Sequence, residues 1–108
     1  MKQGDIIIMP FPFTDLTKVK LRPALIISND KYNSKKNVIV ICISTQPGIK
    51  NYSLLLKQEN LKSGFLQKKS YIRFQNIFTI EKRLIKKVVA TLNQLFLDKV
   101  KNQFKEYI

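Results

Sequence analysis

Residues 4–28, GDIIIMPFPFTDLTKVKLRPALIIS, hold one apolar run from Asp5 to Met9 and a second from Ala24 to Ser28, with prolines and a polar loop between them. Short runs rich in isoleucine and bounded by Gly, Pro and Asp read as strands. Proline has no amide to give to an interior ladder, so Pro10-Phe11-Pro12 is expected to end the first strand, with Thr14 to Lys20 as a polar loop. Asn37 to Ser44 reads as a third strand and Tyr52 to Leu56 as a fourth, with Pro47-Gly48 supplying the turn between them. Gly64 to Gln67, Tyr71 to Asn76 and Ile85 to Ala90 read as three shorter strands. From Asn93 the period changes: Phe96, Val100, Phe104 and Ile108 fall four residues apart, the mark of an amphipathic helix, and Asn93 suits its N-cap. Strands followed by one terminal helix predict an α+β fold, a twisted sheet or small barrel with a helix packed on it.

At 108 residues the chain has the length of one domain, taken here as 1–108. Its apolar runs are far shorter than the ~20 residues of a membrane-spanning helix, and Gly4-Asp5 precedes the first of them, so a soluble, cytoplasmic chain without a signal peptide is expected. Cys42 is the only cysteine and lies within VIVICIS, where it reads as a small buried hydrophobe. The absence of histidine removes the usual general base and the commonest metal ligand, which argues against zinc and Cys/His chemistry. The net charge of +13 favours a polyanionic partner. That charge is uneven: residues 31–92 carry thirteen Lys/Arg against two Asp/Glu.

Two strand ends carry possible chemistry. Pro23 pushes Arg22 toward extended backbone, and an arginine fixed where a loop enters a strand offers a planar fork of donors to a phosphate. The same residue also fits an edge-strand role, its methylenes covering the core. In Cys42-Ile43-Ser44-Thr45-Gln46 an apolar strand gives way to two hydroxyls and an amide on a rigid element, which reads either as a site or as the approach to a turn.

Taken in order, these pieces resemble the MazF/PemK family of toxins. GDIIIMPFPFTDLTKVKLRPALIIS looks like the family's N-terminal signature. VIVICISTQ is similar to its strand that ends in a hydroxyl pair and Gln, and YIRFQNIFTIEKRL resembles its later strand around Thr-Ile-Asp. The likeness spans nearly the whole chain, strongest over residues 4–28 and weakest from Ile49 to Lys69. It implies a small SH3-like (CcdB/MazF-like) barrel with a C-terminal helix, forming a homodimer. It also implies a type II toxin: a metal-independent endoribonuclease, needing no cofactor, that cuts single-stranded RNA and is held by an acidic antitoxin protein. By the same resemblance Arg22 matches the catalytic arginine, Ser44 the catalytic threonine and Thr45 its hydroxyl neighbour. Arg73 matches a basic residue that some relatives use in catalysis. Gln75 departs from the acid many relatives carry and cannot serve as a base, and Phe78 stands where many have an arginine.

Metal-free RNA cleavage needs the 2′-hydroxyl in line with the phosphate, charge stabilisation and proton movement. Arg22 suits the second need, and Ser44 and Thr45 can donate to the phosphate or the leaving 5′-oxygen. No proton acceptor is assigned; Asp15 is the carboxylate best placed along the chain, and it equally suits a turn residue bonding its own backbone. Lys18, Lys20 and Gln46 are candidate RNA contacts, and Phe11, Phe13 or Phe74 candidate stacking surfaces. Two other functions remain open: a non-catalytic barrel that poisons a protein partner, as CcdB-like toxins do, and a nucleic-acid-binding relative without toxicity.

Overall fold

The computed structural model describes residues 1–12 and 19–108; Phe13, Thr14, Asp15 and Lys18 lie outside the described residues. In chain order the elements are β1 (Asp5–Pro12), β2 (Val19–Ile26), α1 (Asp30–Asn33), β3 (Asn37–Ser44), β4 (Ser53–Leu56), β5 (Leu61–Gly64), β6 (Ser70–Glu81), β7 (Lys87–Leu92) and α2 (Gln94–Lys105). The strands join in one curled sheet of order β4-β6-β3-β2-β1-β7-β5, and each pairing is antiparallel. The expected α+β architecture, a curled half-barrel with a C-terminal helix, is what forms.

The central strands are apolar at nearly every position because both faces of the sheet are covered. Ile6, Leu25 and Ile41 point to one face, where Phe96, Leu97 and Val100 of α2 close over them. Ile7, Ala24 and Val40 point to the other, with Met9, Ile26, Val38 and Ile80. Each fully buried Ile or Leu contributes about 1.5–3 kcal/mol, and the two clusters fix the register, since a slip of one residue would exchange them. The α2 helix begins as expected: the Asn93 side chain accepts from the Phe96 amide at 2.8 Å. Its apolar stripe ends at half-buried Phe104, whereas Ile108 lies beyond the helix and is exposed. The Asp5 carboxylate is buried and accepts from Thr91 Oγ1 and the Lys2 amide, both at 2.8 Å, so it ties the start of β1 to β7.

Several boundaries differ from the sequence reading. Rather than ending at Met9, β1 continues through Pro10 and Pro12, opposite Leu21 and Val19. Its other neighbour explains this. The Ile8 carbonyl accepts from the Lys86 amide, so Ile8 turns its polar groups toward β7, and that pairing stops at Ile8–Lys87. Pro10 and Pro12 face the same side, where among the described residues no ladder is left to lose a donor to. β2 starts at Val19 instead of Ala24, which places Arg22-Pro23 inside a strand and not at its mouth. Ser28 and Asn33, both buried, bond each other's polar groups across the turn that forms α1, a short helix the sequence reading did not foresee. β5 occupies Leu61–Gly64, three residues before the expected run, and β7 is likewise shifted to Lys87–Leu92. Among the described residues no helix is long and apolar enough to cross a membrane.

Candidate active site

Strand register builds the site. Ala24 of β2 pairs with Cys42 of β3. The ladder ends there, but two residues on, the same register sets Arg22 opposite Ser44, on the face shared by Ala24 and Cys42. Met9 of β1 pairs with Arg22 and falls on that face too. On the other side of β3, β6 is irregular: Ile41 pairs with Ile77, yet Ile43 pairs with Ile72. Extending the ladder one step from either side brings Asn76 or Arg73 opposite Cys42, while Phe74 and Gln75 are extra and leave the row. Arg73 also pairs with Ser53, so the irregularity marks where β6 passes from β3 alone to a place between β3 and β4.

The result is a cleft of about 510 Å³ lined by Arg22, Cys42, Ser44, Arg73 and Asn76, with Phe11, Phe78 and Glu81 toward its other end. Arg22, Ser44 and Arg73, singled out from sequence, are brought together here. The Ser44 hydroxyl oxygen accepts from the Gln46 amide at 3.1 Å, which holds it in place and leaves its proton for an incoming acceptor. Thr45 and Gln46 are exposed and outside the cleft lining, so of the two hydroxyls only Ser44 faces in. Gln75 is also exposed and outside the lining. Lys20 is exposed, two residues along β2 from Arg22 and opposite Phe11, at the cleft margin. Phe74, expected as a stacking surface, is in the core: its ring lies 6.5 Å from that of Phe104 and 5.4 Å from that of Tyr107. The extra residues of β6 turn it to the helix-covered face, away from the cleft.

Sequence reasoning missed Asn76 and Glu81. Asn76 interrupts the apolar alternation of β6 between Phe74 and Ile77, and that break was the available signal. Its Oδ1 and the Arg73 Nε are buried and without a hydrogen-bond partner among the described residues. Glu81 is the one carboxylate on the described cleft wall. Arg83 Nε donates to its Oε2 at 2.7 Å and Lys36 lies 3.9 Å away, and the Arg83 hydrogen bond and charge hold the carboxyl below its ordinary range. So held, it is a poor proton acceptor. Among the described residues no three His, Cys, Asp or Glu side chains are grouped to hold a metal ion.

Cys42 lies at the floor of the cleft. Burial pushes its thiol up to about 11, against the opposing pull of Arg73 and then Arg22. It is a neutral packing residue and no nucleophile. The sign of its pH effect follows. The unfolded thiol ionises near 9.0 and the folded one near 11, so the stability tied to the neutral thiol is intact below pH 9 and is lost as pH rises toward 11. Thermal melts at pH 8 to 11 should show the wild type losing more stability over that span than Cys42→Ala.

Arg73 is seated by backbone. Gly48, at φ 71°, passes so close that a Cβ there would fall 2.7 Å from Arg73 Nε and 2.9 Å from Nη2. Only glycine lets the Pro47-Gly48 segment lie on the guanidinium; the turn expected there falls at Ile49–Tyr52 instead, where the Tyr52 amide donates to the Ile49 carbonyl at 3.1 Å. Gly48→Ala should displace Arg73 and lower any activity of the cleft about tenfold, with a stability loss of about 1 kcal/mol from the strained φ; rates beside urea melts separate the two.

The chain matches, over residues 2–108, the family model described as PemK-like, MazF-like toxin of type II toxin-antitoxin system. No curated protein matches it. Among solved structures, an endoribonuclease in complex with its cognate antitoxin from a mycobacterial species superposes with a TM-score of 0.79 at 16% identity, over 98% of this chain and 92% of that one. The Mycobacterium tuberculosis toxin MazF-mt6 gives 0.75 at 18%, over 94% and 93%. A chain of the MazE–MazF structure from Deinococcus radiodurans gives 0.78 at 13%, over 99% and 94%. At such identities the superpositions establish the shared fold.

Proposed function

Because the chain belongs to the PemK-like, MazF-like toxin family of type II toxin-antitoxin systems, we propose that residues 1–108 act as one toxin domain, a metal-independent endoribonuclease on single-stranded RNA. The observation that carries this reading is the meeting of Arg22, Arg73 and Ser44 in one cleft. Two guanidinium groups converge with a hydroxyl donor, a set suited to the charge that grows on phosphoryl oxygens.

In the proposed reaction the RNA 2′-oxygen attacks the adjacent phosphorus as its proton passes to solvent or an unassigned base. The bond to the 5′-oxygen breaks, and that oxygen takes up a proton. The products are a 2′,3′-cyclic phosphate and a 5′-hydroxyl. Arg22 bridges two phosphoryl oxygens, Ser44 donates to the phosphate or the leaving oxygen, and Arg73 adds charge from the opposite strand. Alignment of the internal nucleophile alone can be worth ~7 kcal/mol, so a cleft that positions and neutralises accelerates the step without a strong base. Cytoplasmic mRNA is the substrate in this reading, and its loss would stop translation and growth.

The partners that fit are a second copy of the chain and an acidic antitoxin whose carboxylates would meet the same arginines and lysines that meet phosphate. The test is incubation of the purified protein with a panel of single-stranded RNAs in EDTA, followed by end analysis. Cyclic-phosphate and 5′-hydroxyl ends that disappear with Arg22→Ala are expected. A panel left intact by the wild-type protein would overturn the proposal, and growth arrest with unchanged RNA would favour a protein target instead.

A further inference from the structure

Phe78 is an exposed aromatic ring on a cleft wall, in the position where the family resemblance leads one to expect arginine. It is 47% exposed, and its ring stands 5.7 Å from that of Phe11, tilted by 54°. Phe11 in turn packs on the core cluster of Ile7, Met9 and Ile80, so the pair is braced from behind and offers one open ring face. Phe78 pairs with Val40, so Cys42, opposite Asn76, separates it from Ser44 along β3. At about 3.4 Å per residue, Asn76 and Phe78 lie roughly 7 and 14 Å along the strand from Ser44. That is within reach of a base one or two nucleotides from a phosphate held by Arg22 and Ser44.

We infer that Phe78, braced by Phe11 and flanked by the Asn76 amide, is a platform on which one unpaired base of the RNA stacks. The inference rests on the proposed RNA substrate and adds a binding subsite to it. Single-stranded RNA is recognised by splaying bases onto aromatic faces beside groups that read their edges. The half-buried Asn76 amide beside an exposed ring supplies both. The arginines at the other end take the backbone, which leaves the aromatic end, where the one carboxylate Glu81 is paired with Arg83, for the base. An aromatic face in place of a cation trades phosphate attraction for stacking, so this subsite holds its base with little dependence on salt.

The test uses single-stranded 2′-fluoro RNA dodecamers, which lack the attacking hydroxyl, with one abasic site walked along the strand and binding followed by fluorescence anisotropy. Phe78→Ala should weaken the intact strand about tenfold. An abasic site at one position should weaken the wild type equally, and the two changes together should cost no more than either alone. Phe78→Tyr should restore binding, and Phe78→Leu, which keeps the apolar bulk without a ring, should behave as Ala. Equal weakening of intact and all abasic strands by Phe78→Ala would overturn the platform and point to an interface between copies. Coupling found with a protein that cuts no 2′-hydroxyl RNA would sustain the subsite and sink the nuclease reading; cutting without coupling would do the reverse.

Discussion

Arg22→Ala should lower RNA cleavage by ~100-fold or more while moving the thermal midpoint by only a few degrees. Arg22 is half-buried just beyond the β2–β3 ladder, where it lines the cleft with Cys42 and Met9 and its charge reaches the thiol. A residue that only covered the core would show the opposite pattern, a stability loss with the rate of the folded fraction unchanged. Arg22→Lys sharpens the comparison: it keeps the charge and most of the stem but cannot bridge two oxygens, so it should recover binding and little of the rate. The salt slope of binding should fall by about one for Arg22→Ala, as for any lost phosphate contact. Single-turnover rates and anisotropy titrations at several salt concentrations measure both.

Gly64→Ala should destabilise the protein by about 3 kcal/mol, lowering its melting midpoint by roughly 10–20 °C. Gly64 pairs with Ala90 at φ 89°, and a Cβ there would fall 2.3 Å from the Val89 carbonyl oxygen and 2.4 Å from Ala90 Cα. Those are backbone atoms of β7 and cannot swing aside. Either β5 leaves the sheet or β7 moves, and β7 is held between β5 and β1. Ser63→Ala, one residue away on the same edge strand, should change stability by less than about 0.5 kcal/mol. Gly64 belongs to the edge remote from the cleft lining, so cleavage per folded molecule should survive Gly64→Ala.

Much of the fold was legible because β3 is an unbroken apolar run between Lys35-Lys36 and Thr45-Gln46-Pro47, and its bounds came out at Asn37 and Ser44. Asn93 and the four-residue spacing after it likewise marked α2. β6 was read too short because Gln75 and Asn76 look like the end of a strand; in the structure they belong to an irregularity inside one, created by a change of neighbours that no local pattern records. The prolines of β1 misled for a related reason. A missing amide matters only where a ladder needs it, and which side of β1 pairs depends on Lys87, far along the chain. Arg22 and Ser44 could be singled out by strand-end chemistry and family likeness, but their placement opposite each other required the β2–β3 register. Asn76 and Glu81 were invisible as site residues until β6 was laid beside β3.

Pro10 and Pro12 also decide what kind of contact this end of the molecule will accept. A strand with a vacant side is an invitation to any extended peptide, through which an antitoxin tail or a neighbouring copy could extend the sheet. With no amide to offer at either position, β1 can only accept main-chain hydrogen bonds along the stretch that borders the cleft, so a strand added there would lose part of its ladder. Recognition along that stretch then falls more to side chains, through charge and shape.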